Sequence, residues 1–305
     1  MEPILVEVRR GGTVEAVHRV HAVAVRDGEI VEAAGDPELR TFLRSSAKPF
    51  QALPLIAARD DLDDRDLAIA SASHLADPEQ LAAVRALLAK APATEDDLEC
   101  GPDPTSLEHN CSGKHAGMLA LCAARGWPKQ GYRLPDHPVQ QACLDVVAGA
   151  AEVDRDSIPT GTDGCGVVAF ALTLERMAHM FARLSQLDHG ARVAAAMRAY
   201  PELIRGPGAP DTELMRTHSG WTAKGGAEGL LCAAGPDGLG LALKVEDGGH
   251  RAVGPALAAF ADRLGVPLRQ LAVAPVENSR GEPVGDVQVV SAKTSQNPPK
   301  TMADL

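Results

Sequence analysis

Residues 229–246 have the sequence G-L-L-C-A-A-G-P-D-G-L-G-L-A-L-K-V-E, which predicts a β-hairpin towards the C-terminal end of the chain. Two apolar runs, 229–234 and 239–246, flank the turn residues Pro236-Asp237-Gly238. The start of the chain shows the same pattern of apolar or alternating segments separated by glycine-containing turns, over residues 4–8, 20–25 and 29–33. Strands are therefore predicted at both ends of the sequence.

The middle of the chain has the apolar spacing of helices. Pro78–Ala91 opens with a proline, and Asn110–Arg125 is followed by Gly126, a residue typical of helix ends. Further helices are predicted over 49–59, 174–184, 193–200 and 251–264 and from residue 137 onwards. This order predicts an α+β fold in which one antiparallel sheet is built from both chain ends around a helical middle. We expect a single domain over residues 1–290 and a polar, disordered tail over residues 291–305.

Composition and charge exclude several classes of protein. Of the 305 residues, 45% are hydrophobic, which is too many for a chain that is mainly disordered. The net charge is −11 and aromatic residues make up only 3%, so a nucleic-acid partner is not expected. The sequence has no apolar segment long enough for a membrane helix and no visible signal peptide. The six cysteines are therefore expected to be reduced thiols in the cytoplasm.

The segment Arg44-Ser45-Ser46-Ala47-Lys48-Pro49 contains the pattern S-x-x-K, as Ser45 and Lys48. Proline is tolerated in the first turn of a helix, so Ser45 is expected at a helix N-terminus with Lys48 one turn later. Burial and the positive end of the helix dipole both favour a neutral lysine, which could take the proton of the serine hydroxyl. By itself, the pattern is common and more often indicates a helix-capping serine and a solvated lysine.

Three other segments carry reactive side chains. Cys111, Lys114 and His115 are spaced to share one face of a helix, and a thiolate and an imidazole at that spacing can bind a metal. Asp163 and Cys165 project from the glycine-rich loop over 161–166. Lys244 interrupts an apolar strand, as the lysine of the K-T-G element does in penicillin-recognising serine enzymes. No P-loop, H-E-x-x-H pattern, C-x-x-C pair or G-x-S-x-G nucleophile elbow is present.

Taken together, these segments resemble the Rhizobium-type, class 3 L-asparaginases over roughly residues 2–290. The resemblance rests on five motifs in the same order, R-S-S-A-K-P-F-Q at 44–51, C-S-G-K-H-A-G at 111–117, H-P-V-Q at 137–140, G-T-D-G-C-G at 161–166 and G-G-A-E-G at 225–229. It implies a fold similar to those of serine β-lactamases and glutaminases. It also implies hydrolysis of L-asparagine to L-aspartate and ammonia, in a protein that is expected to be a homodimer.

The resemblance also implies roles for individual residues. One Ser–Lys pair matches Ser45 and Lys48, and we match the second pair to Ser73 and Lys244. Zinc is implied as a cofactor, and its implied ligands are Cys111, Lys114 and Cys165. Substrate contacts are expected from Arg44, His115 and Asp163.

The sequence departs from the family pattern after Ser73-His74, where Leu75-Ala76-Asp77 replaces the usual Ser-Gly-Glu. Three alternatives therefore stay open at this point. The first is another acyl-serine hydrolase, of the glutaminase or β-lactamase type. The second is a zinc-dependent amidohydrolase in which metal-bound water attacks, and the third is a non-catalytic metabolite-binding protein with the same fold.

Overall fold

The computed structural model describes residues 1–290, which form an eight-stranded antiparallel sheet, a three-stranded antiparallel sheet and eleven α-helices. The strands are β1 (Ile4–Arg10), β2 (Thr13–Arg26), β3 (Glu29–Ala34), β4 (Arg40–Phe42), β5 (Thr160–Thr162), β6 (Val168–Thr173), β7 (Thr222–Gly226), β8 (Leu230–Ala234), β9 (Leu239–Val245), β10 (Val273–Glu277) and β11 (Pro283–Val289). The tail expected over residues 291–305 lies outside the described residues.

The helices occupy the middle of the chain and its last third. They are α1 (Lys48–Gln51), α2 (Leu53–Ile56), α3 (Asp64–Ala70), α4 (Pro78–Lys90), α5 (Ser112–Arg125), α6 (Pro138–Ala151), α7 (Leu174–Ala182), α8 (Gly190–Ala199), α9 (Pro201–Ile204), α10 (Pro210–Thr217) and α11 (Val253–Arg263). Within residues 1–290, every helix is too short or too polar to cross a bilayer.

The large sheet has the strand order β10-β11-β1-β2-β9-β8-β7, and β3 pairs with β2 beside this path. Strands from the two ends of the chain meet directly, since β1 pairs with β11 and β2 pairs with β9, in both cases antiparallel. The predicted hairpin is β8–β9. The expected α+β fold, with a sheet built from both chain ends and a helical middle, is therefore confirmed. The small sheet, with the order β4-β6-β5, was not predicted.

Local sequence explains where several helices begin and end. Asp77 accepts a hydrogen bond from the Gln80 backbone N–H at 2.9 Å and caps the start of α4, while Thr173 caps α7 in the same way. Gly126 ends α5 in the left-handed conformation that glycine adopts at low cost. Such caps fix the lengths of the helices that carry or support the reactive residues.

Helix α7 packs on the middle of the large sheet, against β9 and β2. All seven residues of β9 are buried, and Gly240 lies where the helix backbone comes closest to the strand. A Cβ atom at Gly240 would overlap the carbonyl oxygen of Ala178 and the backbone nitrogen of Ala182. The absence of a side chain at this position therefore lets α7 lie against the sheet.

We predict that Gly240→Ala lowers the free energy of unfolding by about 3 kcal/mol or more, because the added methyl group meets backbone that cannot move independently. The matched control is Gly149→Ala in α6, where nothing lies within 4 Å of the added Cβ; alanine is the better helix former, so this change should be neutral or slightly stabilising. Urea unfolding measures both. Equal stabilities of the two variants would contradict the close contact at Gly240.

Candidate active site

Lys48 is the most deeply buried charged side chain at the start of the helical region, with no exposed surface. Its amine donates a hydrogen bond to Ser73 Oγ at 2.9 Å and another to the carbonyl oxygen of Ala72. Burial lowers the pKa of Lys48, and the charge of the Cys111 thiolate opposes that shift. The amine is thus held between the helix start and the loop after α3, and it is easier to deprotonate than an exposed lysine.

Ser45 lies one turn before Lys48, in a single 3₁₀ turn over Arg44–Ala47 that leads into α1. Its side chain is partly exposed, and its hydroxyl makes no hydrogen bond within residues 1–290. Arg44 has a left-handed backbone, with φ of +46°, which is strained for a residue other than glycine. The strained residue therefore directly precedes the expected nucleophile and turns the chain into the helix.

Lys224 is a second buried lysine beside this helix start. It is not among the site residues predicted from the sequence. Ser46 Oγ donates to the Lys224 carbonyl oxygen at 2.8 Å, which joins the 3₁₀ turn to β7. The Lys224 amine lies 3.7 Å from Asp211 Oδ2 and donates to the Gly225 carbonyl oxygen at 2.7 Å. Burial lowers the pKa of Lys224 to about 7; Asp211 opposes this shift, and the charge of Lys48 adds to it.

Lys244, which the sequence analysis placed in the site, has different neighbours. It lies on β9 opposite His21 and Leu230, and its amine donates to the carbonyl oxygen of Val245. Burial lowers the pKa of Lys244, and the charges that oppose this shift come from Glu228, Asp247 and Glu246. The structure thus brings Lys224, and not Lys244, to Ser46, and the charge of Lys48 acts on Lys224.

A sequence signal for Lys224 did exist. Lys224-Gly225-Gly226 places a lysine directly before the G-G-A-E-G motif at 225–229 that supports the family resemblance. The two glycines are needed for close packing: a Cβ at Gly226 would lie 3.2 Å from the Leu43 carbonyl oxygen. One at Gly225 would lie 3.2 Å from Asp211 Oδ2. The strand sequence Lys224-Gly225-Gly226 is also more similar to the K-T-G element than Lys244-Val245-Glu246 is.

Cys111, Lys114 and Cys165 come together as the resemblance implied. The Lys114 amine donates to Cys165 Sγ at 3.0 Å, and all three side chains are buried. Hydrogen bonding between the two thiols lowers the pKa of Cys111 and raises that of Cys165, so the pair favours a thiolate at Cys111. Burial lowers the pKa of Lys114, but the two sulfur atoms outweigh burial and raise it.

This donor set fits zinc. Two cysteine sulfurs and one amine nitrogen are soft to borderline ligands, which suit Zn²⁺ better than Mg²⁺ or Ca²⁺. Within the described part of the chain, no group of three or more His, Cys, Asp and Glu side chains is arranged to hold a metal ion. A metal at this place would therefore need Lys114 as a ligand, together with Cys111 and Cys165.

Arg44 and Asp163 form an ion pair between the helix start and the glycine-rich loop. Arg44 Nε donates to Asp163 Oδ1 at 2.8 Å, and the same oxygen accepts the Gly164 N–H at 2.8 Å. Asp163 also closes the loop through its backbone, since its carbonyl oxygen accepts the N–H of Gly166. Two of the three residues expected to contact substrate thus hold each other in place beside Ser45.

His115 is fully buried, and its ring contacts a tyrosine hydroxyl. The Glu99 N–H donates to the Tyr132 hydroxyl oxygen at 2.8 Å, and that hydroxyl lies 2.6 Å from His115 Nδ1. Because the hydroxyl already accepts one N–H, it is suited to donate to Nδ1; Nε2 has no hydrogen-bond partner within residues 1–290. Burial keeps the pKa of His115 well below its usual range, so the ring is neutral.

The loop after Ser73 differs from the family pattern, and its backbone shows why glycine is usual there. Ala76 has φ of +60°, a left-handed conformation that favours glycine. Leu75, which replaces the usual serine, is 61% exposed. Asp77, which stands at the position of the usual glutamate, caps the start of α4. Ala76 is therefore less suited to this backbone conformation than glycine would be.

Comparisons with known proteins were made for the whole chain. A model of the L-asparaginase II family matches residues 6–289. No curated protein sequence matches the chain significantly. Among solved structures, the native form of Mglu is similar, with 14% identity and a TM-score of 0.47 over 82% of this chain and 66% of that chain, so this chain spans slightly less than two thirds of Mglu.

Two other solved structures are similar to this chain at comparably low sequence identity. A proposed β-lactamase from Bacteroides dorei shows 12% identity and a TM-score of 0.45 over 80% of this chain and 93% of that chain. The Bacillus subtilis glutaminase YbgJ, in a covalent complex with 5-oxo-L-norleucine, shows 14% identity and a TM-score of 0.39 over 82% of this chain and 89% of that chain. Because these TM-scores are below 0.5, the similarities do not define the chemistry of the site.

Proposed function

The chain belongs to the L-asparaginase II family, and we propose that it hydrolyses the side-chain amide of L-asparagine through an acyl-enzyme on Ser45. The family makes the protein an amidohydrolase with a small-molecule amide substrate. The observation that supports the Ser/Lys mechanism best is the buried Lys48 amine, one helical turn after Ser45 and 2.9 Å from Ser73 Oγ. Each residue then has a role that follows from its surroundings.

Lys48 is the general base for the first step. Its lowered pKa makes the neutral amine more accessible than that of an exposed lysine, and the amine takes the proton of the Ser45 hydroxyl as the oxygen attacks the amide carbon. The hydroxyl is free to attack, because it makes no hydrogen bond within residues 1–290. The strained Arg44 backbone keeps Ser45 at the start of the helix, where backbone N–H groups are unpaired.

Two backbone N–H groups are suited to stabilise the negative charge that develops on the amide oxygen. Among the described residues 1–290, neither the Ser45 N–H nor the Ala227 N–H has a backbone partner. Ala227 directly follows Gly226, which packs against the Leu43 carbonyl oxygen and so brings the end of β7 to the helix start. Such preorganised donors favour the tetrahedral transition state over the planar substrate.

Ser73 and Lys224 complete the proton transfer. Ser73 Oγ accepts a hydrogen bond from Lys48 and can pass a proton to the departing nitrogen, which leaves as ammonia. Lys224 has a pKa of about 7, so it can both accept and donate a proton at neutral pH. Water then attacks the ester carbon of the acyl-enzyme, which releases aspartate and returns the proton to Ser45.

Zinc is proposed as a cofactor held by Cys111, Lys114 and Cys165. When bound, it would supply a fixed positive charge that keeps both sulfurs deprotonated and fixes the glycine-rich loop. In that loop, Asp163 stands two residues before Cys165 and pairs with Arg44. The thiol and amine ligands therefore tie the Asp163 loop to the start of α5, and His115 is the next residue on that helix after Lys114.

We predict that Ser45→Ala lowers turnover of L-asparagine by on the order of 10³-fold or more, because the attacking hydroxyl is lost. The measurement is ammonia release, with thermal unfolding to show that the variant is folded. The matched control is Ser157→Ala at an exposed position in the loop before β5, which should keep wild-type turnover. Near-wild-type hydrolysis by a folded Ser45→Ala variant would contradict the mechanism.

A second prediction compares the two lysines. Lys224→Met should lower turnover by roughly 10²-fold or more, because the proton relay loses its amine, while Lys244→Met should change it less than about threefold. Circular dichroism and thermal unfolding check the fold of both variants. If Lys244→Met is the inactive variant and Lys224→Met is active, the assignment drawn from the geometry is wrong.

The zinc proposal is tested by metal content. The purified protein should contain about one zinc per chain, and Cys165→Ala should lose it because one of the two sulfur ligands is gone. Cys122→Ala is the matched control, since Cys122 is an equally buried thiol of α5 and should leave the zinc in place. Equal zinc content in both variants, or no zinc in the wild type after addition of zinc salts, would contradict the site.

A further inference from the structure

We infer that Arg205 binds the α-carboxylate of the amino-acid substrate and is thereby a specificity-determining residue of the site. The inference rests on the proposed function and extends it, because it states how the site distinguishes a free amino acid from other primary amides. None of the motifs in the sequence points to this residue.

Arg205 is fixed to the same loop that carries Ser73. The residue before it, Ile204, accepts a hydrogen bond from the Ser73 N–H at 2.7 Å. The Arg205 carbonyl oxygen accepts from Gln80 Nε2 at 3.0 Å, and the same side chain of Gln80 also accepts the Leu75 N–H. Gln80 is fully buried, so it holds the two loops together as a rigid unit. The backbone of Arg205 is thus positioned relative to Ser73.

The guanidinium group of Arg205 has no protein partner in the structure. Within residues 1–290, it makes no ion pair within 4.0 Å and no side-chain hydrogen bond, although the residue is partly buried. Other arginines nearby are paired: Arg216 lies 3.5 Å from Glu202, and Arg44 is bonded to Asp163. An arginine stays charged at all relevant pH values, so a partly buried and unpaired one favours an anionic ligand.

The cavity beside Arg205 offers it no free counter-ion. Arg205 and His250 line this small cavity beside Gly225, and the only carboxylate that lines it is that of Asp211. Asp211 is already engaged, since it accepts the N–H groups of Gly225 and Thr212 and faces the amine of Lys224.

The charge of Arg205 reaches the catalytic group. Burial lowers the pKa of Lys224, and among the further causes the positive charges of Lys48 and Arg205 lower it. Burial also lowers the pKa of His250, and Arg205 contributes in the same direction. Arg205 therefore lies within electrostatic reach of the reacting groups and keeps an uncompensated charge there.

The chemistry of the substrate supplies the missing anion. In L-asparagine, the α-carboxylate lies within one short side chain of the amide carbon that Ser45 attacks. It is therefore bound near the groups that surround that carbon, and Arg205 lines a cavity together with Gly225, the residue that follows Lys224. A guanidinium group matches a carboxylate with two parallel hydrogen bonds, which gives both affinity and orientation.

The test compares L-asparagine with 3-aminopropanamide, which has the same amide and amine but no α-carboxylate. We expect Arg205→Gln to lower kcat/KM for L-asparagine by about 10- to 100-fold, the range of one lost charge-assisted interaction. For 3-aminopropanamide, the same Arg205→Gln change should alter kcat/KM by less than about threefold.

Arg205→Lys should keep part of the preference for L-asparagine over 3-aminopropanamide. A lysine supplies the positive charge but not the two parallel N–H donors of the guanidinium group. The matched control is Arg216→Gln on α10, which should leave both substrates unchanged.

A binding measurement separates this inference from the proposed function. By calorimetry, L-aspartate should bind Arg205→Gln at least about tenfold more weakly than it binds the wild type, while β-alanine, its analogue without the α-carboxylate, should bind both alike. Equal losses for both substrates, or unchanged binding of L-aspartate, overturn the role of Arg205. A wild type that binds L-aspartate in this Arg205-dependent way but releases no ammonia from L-asparagine contradicts the proposed function alone. A wild type that binds no L-aspartate overturns the inference.

Discussion

The buried amine of Lys48 is the interaction on which the site depends. A lysine without exposed surface must either find hydrogen-bond acceptors or lose its proton, and the fold arranges for both. Its acceptors, Ala72 and Ser73, come from the loop after α3, and Cys111 at the start of α5 supplies the opposing charge. A single amine therefore brings separate parts of the helical middle together, and its burial there lowers its pKa.

The large sheet contributes the other half of the site through one edge strand. Strand β7 is the last in the order of the large sheet, so the edge that does not pair with β8 is available to the loops around it. Asp211 covers part of that edge by accepting the Gly225 N–H, and Ser46 bonds to the Lys224 carbonyl oxygen. The glycines after Lys224 allow these contacts, since a side chain at Gly226 would press on the Leu43 carbonyl oxygen. An edge strand is usually a liability, and here it is covered by the elements that carry the chemistry.

Sequence patterns predicted the sheet and the helical middle because apolar periodicity and turn residues act locally. They predicted the meeting of Cys111, Lys114 and Cys165 only through the family resemblance, since nothing local connects a helix start with a loop far along the chain. Lys244 was chosen as the second lysine because it interrupts an apolar strand, yet Lys224 interrupts another. What distinguishes them is strand order: β9 lies inside the sheet between β2 and β8, whereas β7 forms its edge beside the helix start. Pairing order depends on long-range contacts, and the pattern of a single strand does not contain it.

The loop at Leu75-Ala76-Asp77 shows which part of this arrangement is essential. Ala76 adopts a left-handed backbone that costs an alanine on the order of 1 kcal/mol compared with glycine, so the loop carries some strain. It nevertheless keeps its course, because the Gln80 amide accepts the Leu75 and Asp77 N–H groups and donates to the Glu202 and Arg205 carbonyl oxygens. This one buried side chain sets the distance between the Ser73 loop and the Arg205 loop. The departure from the family pattern thus lies in the side chains after Ser73-His74, while Ser73 itself is positioned by its hydrogen bonds to Lys48 and Ile204.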